Sequence, residues 1–151
     1  MALLRGRKDA TFDYLARLQD TADIIATVVG KVATVAKIYD AGQGRLDARL
    51  IVNITAAEVA TGNEHYRVYV QGSSSLTFAT DVWNLGATAL GDSSVSLETV
   101  DTVAGRREIA FCNEVNGTCF RYIRAYFFVA GTIDTTGLSV GDCYLVKAAG
   151  T

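Results

Sequence analysis

Between residues 36 and 147 the chain alternates apolar and polar residues with period two, in short runs separated by Gly-, Asn-, Asp- and Ser-rich turns, and it contains no proline. Successive side chains on a strand point to opposite faces, so such runs bury one face only when the chain is extended. In "ARLIVNIT" Leu50, Val52 and Ile54 share one face, while Ile51 and Asn53 share the other. In "HYRVYVQ" Tyr66, Val68 and Val70 alternate with His65, Arg67, Tyr69 and Gln71, which predicts one dry and one wet face. "REIAFCN" pairs Ile109 with Phe111, and "CYLV" sets Cys143 and Leu145 against Tyr144 and Val146. The intervening "GQG", "TGN", "QGSSS", "LGDSS", "NG" and "GLSVGD" are turn signals at the spacing of an all-β sandwich or barrel. Asn116-Gly117 is the sharpest of them, because both residues accept the positive φ of a two-residue type I′ hairpin turn. A two-residue turn sets Cys112 opposite Arg121. A four-residue loop would set it opposite Cys119.

The first 35 residues read differently. Phe12, Leu15 and Leu18 recur at helical spacing behind Asp9, a side chain suited to cap a short helix. That stripe is narrow, and ordering each backbone residue costs ~1–2 kcal/mol. The expectation is an N-terminal arm over residues 1–35, with room for a short helix, that clasps a neighbour through Phe12, Leu15 and Leu18. Arg5, Arg7 and Lys8 would meet acidic surface there. Residues 36–151 would form the folded domain.

At 151 residues the chain can build a single core, and its net charge of −2 supplies no general attraction to phosphate or anionic lipid. The start, "MALLRGRKDATFDYL", lacks an apolar h-region, and Lys31 interrupts "IIATVVGKVATVA", so neither a signal peptide nor a membrane span is expected. Three cysteines, at 112, 119 and 143, fit reduced thiols made in a cytoplasm better than a disulfide framework. The sequons at Asn53 and Asn116 carry no weight without a secretion signal.

Chemical motifs are sparse. "GQGRLDA" opens like a dinucleotide fingerprint, but Asp47 occupies the third glycine position and a strand follows where a helix is needed, so a tight turn is expected. His65 is the sole histidine, and with three scattered cysteines it lacks the paired spacing of a zinc site. Asp81, Glu98, Glu108 and Glu114 show no pattern that would split carboxylate pKa values. No catalytic residue, metal or cofactor is expected. Trp83, flanked by Val82 and Leu85, is read as an anchor in the core or at a subunit contact, with a sugar-stacking platform as the other possibility.

The stretch "GTCFRYIRAYFFVAG" places Ile123, Ala125, Phe127 and Val129 on one face and Tyr122, Arg124, Tyr126 and Phe128 on the other. As a base-stacking platform the second face would resemble an RNA-recognition strand, but that motif's glycines are missing and no neighbouring strand is expected to offer a matching aromatic-basic set. An aromatic and arginine face over an apolar one matches protein–protein interfaces, with the chain's own arm or loops as the competing cover.

The segments "AKIYDAGQGRLDARLIVNITAAEVATGNEHYRVYVQGSSSLTFA" and "GRREIAFCNEVNGTCFRYIRAYFFVAGT" together resemble the capsid cement, or head decoration, proteins of tailed bacteriophages over residues 36 to 147. The resemblance implies a jelly-roll-like β-sandwich on the exterior of the virion capsid, made in the bacterial host cytoplasm. It implies that the protein bridges copies of the major capsid protein as a homodimer or homotrimer, with no enzyme activity, no cofactor, no nucleic acid and no membrane. A carbohydrate-binding sandwich from a phage tail or fibre is the alternative.

Overall fold

In the computed structural model, residues 16–91 and 104–147 are described. They form β1 (Arg17–Gln19), β2 (Ala22–Ile24), β3 (Val28–Val29), β4 (Lys31–Val32), β5 (Val35–Ala36), β6 (Tyr39–Asp40), β7 (Asp47–Ala57) and β8 (His65–Ser73). There follow β9 (Trp83–Gly91), β10 (Gly105–Cys112), β11 (Glu114–Val115), β12 (Thr118–Cys119), β13 (Tyr122–Ala130), β14 (Leu138–Val140) and β15 (Cys143–Lys147). The fold is an all-β sandwich, and the strand pairs are antiparallel.

One sheet is organised about β7. Strand β10 runs along one edge of it, while β15 and β14 share the other edge, flanked by β1 and β2 respectively. The second sheet runs β9, β8, β13, with β3 and β6 sharing the outer edge of β13. Alternation explains what lies between the sheets. Leu50, Val52 and Ile54 from β7 meet Tyr66, Val68 and Val70 from β8 and Ile123, Ala125 and Phe127 from β13 in one buried cluster. Each large aliphatic or aromatic side chain withdrawn from water there stabilises the fold by ~1.5–3 kcal/mol.

The N-terminal expectation needs correcting. Within the supposed arm, β1 pairs with β15, β2 with β14 and β3 with β13, so residues from Ala16 onward belong to the sandwich. Leu18 lies on β1, fully buried in the core, and is not an anchor for a neighbour. The physical reason is edge pairing: these two- and three-residue strands satisfy their backbone on longer strands and are too short to show a period. The chain passes from one sheet to the other between β2 and β3, and Gly30, just after β3, donates its N–H to the Ala125 carbonyl at 2.9 Å. A Cβ at Gly30 would stand 2.3 Å from the Leu18 carbonyl oxygen, so only glycine permits this approach. Arg5, Arg7, Lys8, Phe12 and Leu15 lie outside the described residues, as does the first part of the expected helix.

Two turn expectations hold. Asn116 and Gly117 have φ of 51° and 83°, and Val115 pairs with Thr118, which is the two-residue register. Gly42 and Gly44 also have positive φ, and the Gly42 N–H donates to the Asp40 carboxylate at 2.8 Å, making "GQG" a tight turn between β6 and β7. The three cysteines are free.

Candidate functional site

Strand β13 carries Ile123, Ala125 and Phe127 into the core, fully buried, and therefore turns Tyr122, Arg124, Tyr126 and Phe128 outward in one row. Tyr122, Arg124 and Tyr126 are half-buried, and Phe128 is 36% exposed. These four of the expected site residues come together. Leu18 is buried in the core and is not part of this row.

Strand β8 supplies a second row beside the first. Its register sets Ser73 against Tyr122, Gln71 against Arg124, Tyr69 against Tyr126, Arg67 against Phe128 and His65 against Ala130. The Tyr69 and Tyr126 rings lie 6.4 Å apart, tilted by 40°, and His65 meets the edge of Phe128 at 6.0 Å. Arg67 donates from Nε to His65 Nε2 at 2.9 Å. The outward face therefore carries an aromatic-basic set on both strands, which corrects the expectation that no neighbouring strand would offer one. The polar face of "HYRVYVQ" was visible; which strand it would lie against was not.

Arg124 is fixed from three sides. Its Nε donates to Gln71 Oε1 at 2.9 Å, and Gln71 in turn donates to Asn84 Oδ1 at 3.0 Å. Its guanidinium carbon lies 4.1 Å from the centre of the Phe78 ring and 5.6 Å from that of Tyr126. Partial burial lowers the Arg124 pKa from its ordinary value, yet an arginine remains a cation near neutral pH. At the end of the row Arg121 grips Asp40 through two bonds of 2.8 and 2.9 Å. Those bonds, with the Gly42 N–H, draw the Asp40 carboxyl down to about 2 and pin β6 to the sheet.

Phe78 belongs to the loop 74–82, which joins β8 to β9 and folds over this end of the sheet. Phe78 and Asp81 both have positive φ, 55° and 52°, a conformation uncommon outside glycine. Ser73 Oγ donates to the Thr80 carbonyl at 2.7 Å and accepts from the Ser75 N–H at 3.0 Å, which holds the loop in this shape. Beyond it Trp83 opens β9, 46% exposed, so the indole is not a core anchor. Its ring stacks on Phe120 with centroids 6.3 Å apart and planes 26° apart. A cleft of about 230 Å³ lies here, lined by Asp81, Trp83, Val115, Asn116, Thr118 and Phe120. Leu76 and Val82, 57% and 40% exposed, lie on the same connection.

Among the described residues, no three or more His, Cys, Asp and Glu side chains are grouped to hold a metal ion, and no helix is long and apolar enough to cross a membrane. Cys143 is fully buried, and burial pushes its thiol up to about 12. No protein-family model matches the chain, and no curated protein matches it.

Proposed function

We propose that the protein is a structural virion component, a capsid cement or head-decoration protein that binds the outer surface of a phage head and bridges major capsid subunits. The observation that carries the reading is the paired outward row of β13 and β8, with Arg124, Tyr126, Phe128, Tyr69, Arg67 and His65 on one face. Aromatic residues and arginine are the types enriched where proteins meet, and they dominate binding energy when a partner excludes water from them. Here they are also held in advance: Gln71 and Phe78 fix Arg124, so docking would freeze few additional rotamers. The resemblance of residues 36–147 to cement proteins supports the same reading.

Size argues for a contact that spreads beyond the rows. Nine-residue strands spaced as in any sheet present a plane of roughly 30 Å by 15 Å across three strands, about 450 Å², against ~800 Å² per partner in a standard stable interface. The loop with Leu76 and Val82 enlarges the surface at one end, and a homodimer or homotrimer would multiply it. Simultaneous contact with several subunits then raises avidity through effective concentration. This function involves no catalysis and no cofactor.

The test uses phage heads stripped of the protein. Binding of the wild-type chain is compared with that of an Arg124→Ala, Tyr126→Ala double variant and of Phe128→Ser, with sedimentation of each protein alone. Occupancy is expected to fall at least tenfold in the double variant and severalfold in Phe128→Ser, while each remains folded. Full occupancy by both variants would overturn the reading.

A further inference from the structure

We propose that the cleft between Trp83 and the Asn116–Gly117 turn binds a single neutral pyranose ring of a glycan. The site is separate from the sheet face described above, and the inference does not depend on the capsid reading.

The first observation is the platform. Trp83 is the sole tryptophan of the chain and is 46% exposed, yet its indole is backed by the near-parallel Phe120 ring. A rigid aromatic surface offers contact area at low conformational cost. The face of an indole is electron-rich, and the axial C–H bonds along one face of a pyranose are polarised positively. The two surfaces therefore attract when stacked.

The second observation is the polar rim. Asp81, Asn116 and Thr118 line the same cleft, and among the described residues their side chains exchange no hydrogen bonds with other groups. A carboxylate accepts from two adjacent hydroxyls, an amide both donates and accepts, and a hydroxyl does either. This is the mixed set that a sugar's hydroxyls require around an apolar platform. The lining holds no Lys or Arg, and Asp81 would repel an anion, so an uncharged ring fits better than a uronate or a phosphorylated ligand.

The third observation is backbone geometry. Asp81 takes φ of 52° in a loop where Phe78 also has positive φ, and Asn116 has φ of 51° at its hairpin tip. Asn116 owes its φ to the type I′ turn and Asp tolerates this region, so the geometry serves here to fix where the two side chains sit. The loop bonds from Ser73 hold Asp81 beside the indole, while the hairpin brings Asn116 to the opposite rim. The cleft, about 230 Å³, has space for one ring.

Because Trp83 is the sole tryptophan, its emission reports on this cleft directly. The full chain is titrated with the methyl glycosides of glucose, galactose, mannose and N-acetylglucosamine, and with methyl glucuronide as the charged counterpart. At least one neutral glycoside is expected to shift the emission saturably at millimolar concentration, with no saturation by the glucuronide. Asp81→Asn, which keeps the size and tolerates the left-handed backbone, is expected to weaken binding about tenfold. Asn116→Gly, which suits the turn, is expected to weaken it severalfold. Trp83→Ala, followed by saturation-transfer NMR, is expected to lose it; if that variant does not fold, the other two carry the test. No saturable response to any neutral glycoside, or undiminished binding in both Asp81→Asn and Asn116→Gly, overturns the proposal.

Discussion

Replacing Asn113 with alanine is expected to cost about 3 kcal/mol, more than its modest size suggests. The side chain is fully buried between the β11–β12 hairpin and the turn that leads into β7. Its Oδ1 accepts from the Leu46 N–H at 2.7 Å, and its Nδ2 donates to the Gly44 carbonyl at 3.1 Å and to the Phe120 carbonyl at 3.0 Å. Asn113→Ala removes all three partners at once, and each orphaned buried group costs ~1–3 kcal/mol. The Leu46 N–H loses its acceptor outright, whereas a water admitted to the space left by the amide could serve the two carbonyls, which puts the sum near the lower end. For a domain of this size the loss corresponds to a Tm lower by about 10 °C. Asn113→Asp keeps the volume and the acceptor but replaces two donors by acceptors, so it is expected to lose at least as much. Urea unfolding followed by far-UV circular dichroism measures the difference. Trp83 emission adds a local reading, since Phe120, which Asn113 holds, lies under the indole. A loss below about 1 kcal/mol in both variants would refute the view that this amide joins the hairpin to the sandwich.

Acid is expected to weaken the fold through several carboxylates held below their ordinary values. Asp40 is drawn to about 2 by Arg121 and the Gly42 N–H, Asp20 is lowered by the Ala33 N–H and Arg17, and Glu58 by the Thr135 hydroxyl and nearby backbone N–H groups. Glu64 is fully buried, which pushes its carboxyl up, but hydrogen bonds from Thr61 and the surrounding backbone outweigh that and leave it lowered. A depressed folded-state pKa contributes stability that is complete near neutral pH and is lost as pH falls from the ordinary carboxylate range through about 2. The urea midpoint should therefore drop steadily below pH ~4 and do so less steeply in Asp40→Asn; a flat midpoint would contradict the assignment. With an aromatic disulfide reagent at mildly alkaline pH, Cys112 and Cys119, both half-buried, are expected to react in the native protein, and Cys143 only after denaturant is added. Rapid native reaction of all three thiols would show that the core does not shield Cys143.

The long strands were legible because a nine- or eleven-residue run that buries one face must alternate, and β7, β8 and β13 do so with few exceptions. The strands of residues 17–36 were not, because strands of two or three residues have no period to read and exist only through what they pair with. Leu18 shows the cost of judging such a segment alone: its helical spacing from Leu15 was real, but the edge of β15 and the buried cluster it joins decided its place. Strand β9 was hidden for a different reason. "WNLGATALG" carries few large apolar residues to alternate, and at Gly86 the other sheet comes so close that a Cβ would stand 2.7 Å from Ile109 Cγ2.

The same logic applies to function. The chemistry of each row, Arg124 and Tyr126 on one strand and Arg67 and Tyr69 on another, could be read from composition and alternation. Their adjacency could not, since it is a property of topology: β8 and β13 are separated in sequence by β9 to β12 and yet pair directly, side by side in one sheet. A sheet face with this composition is stable only while water or a partner covers it, and the half-buried side chains on it already hold one another in place. Substitutions along the two rows should therefore show coupled effects on partner binding: removing Arg124 frees Phe78 and Tyr126 together, so the double variant is expected to lose less than the sum of its single losses.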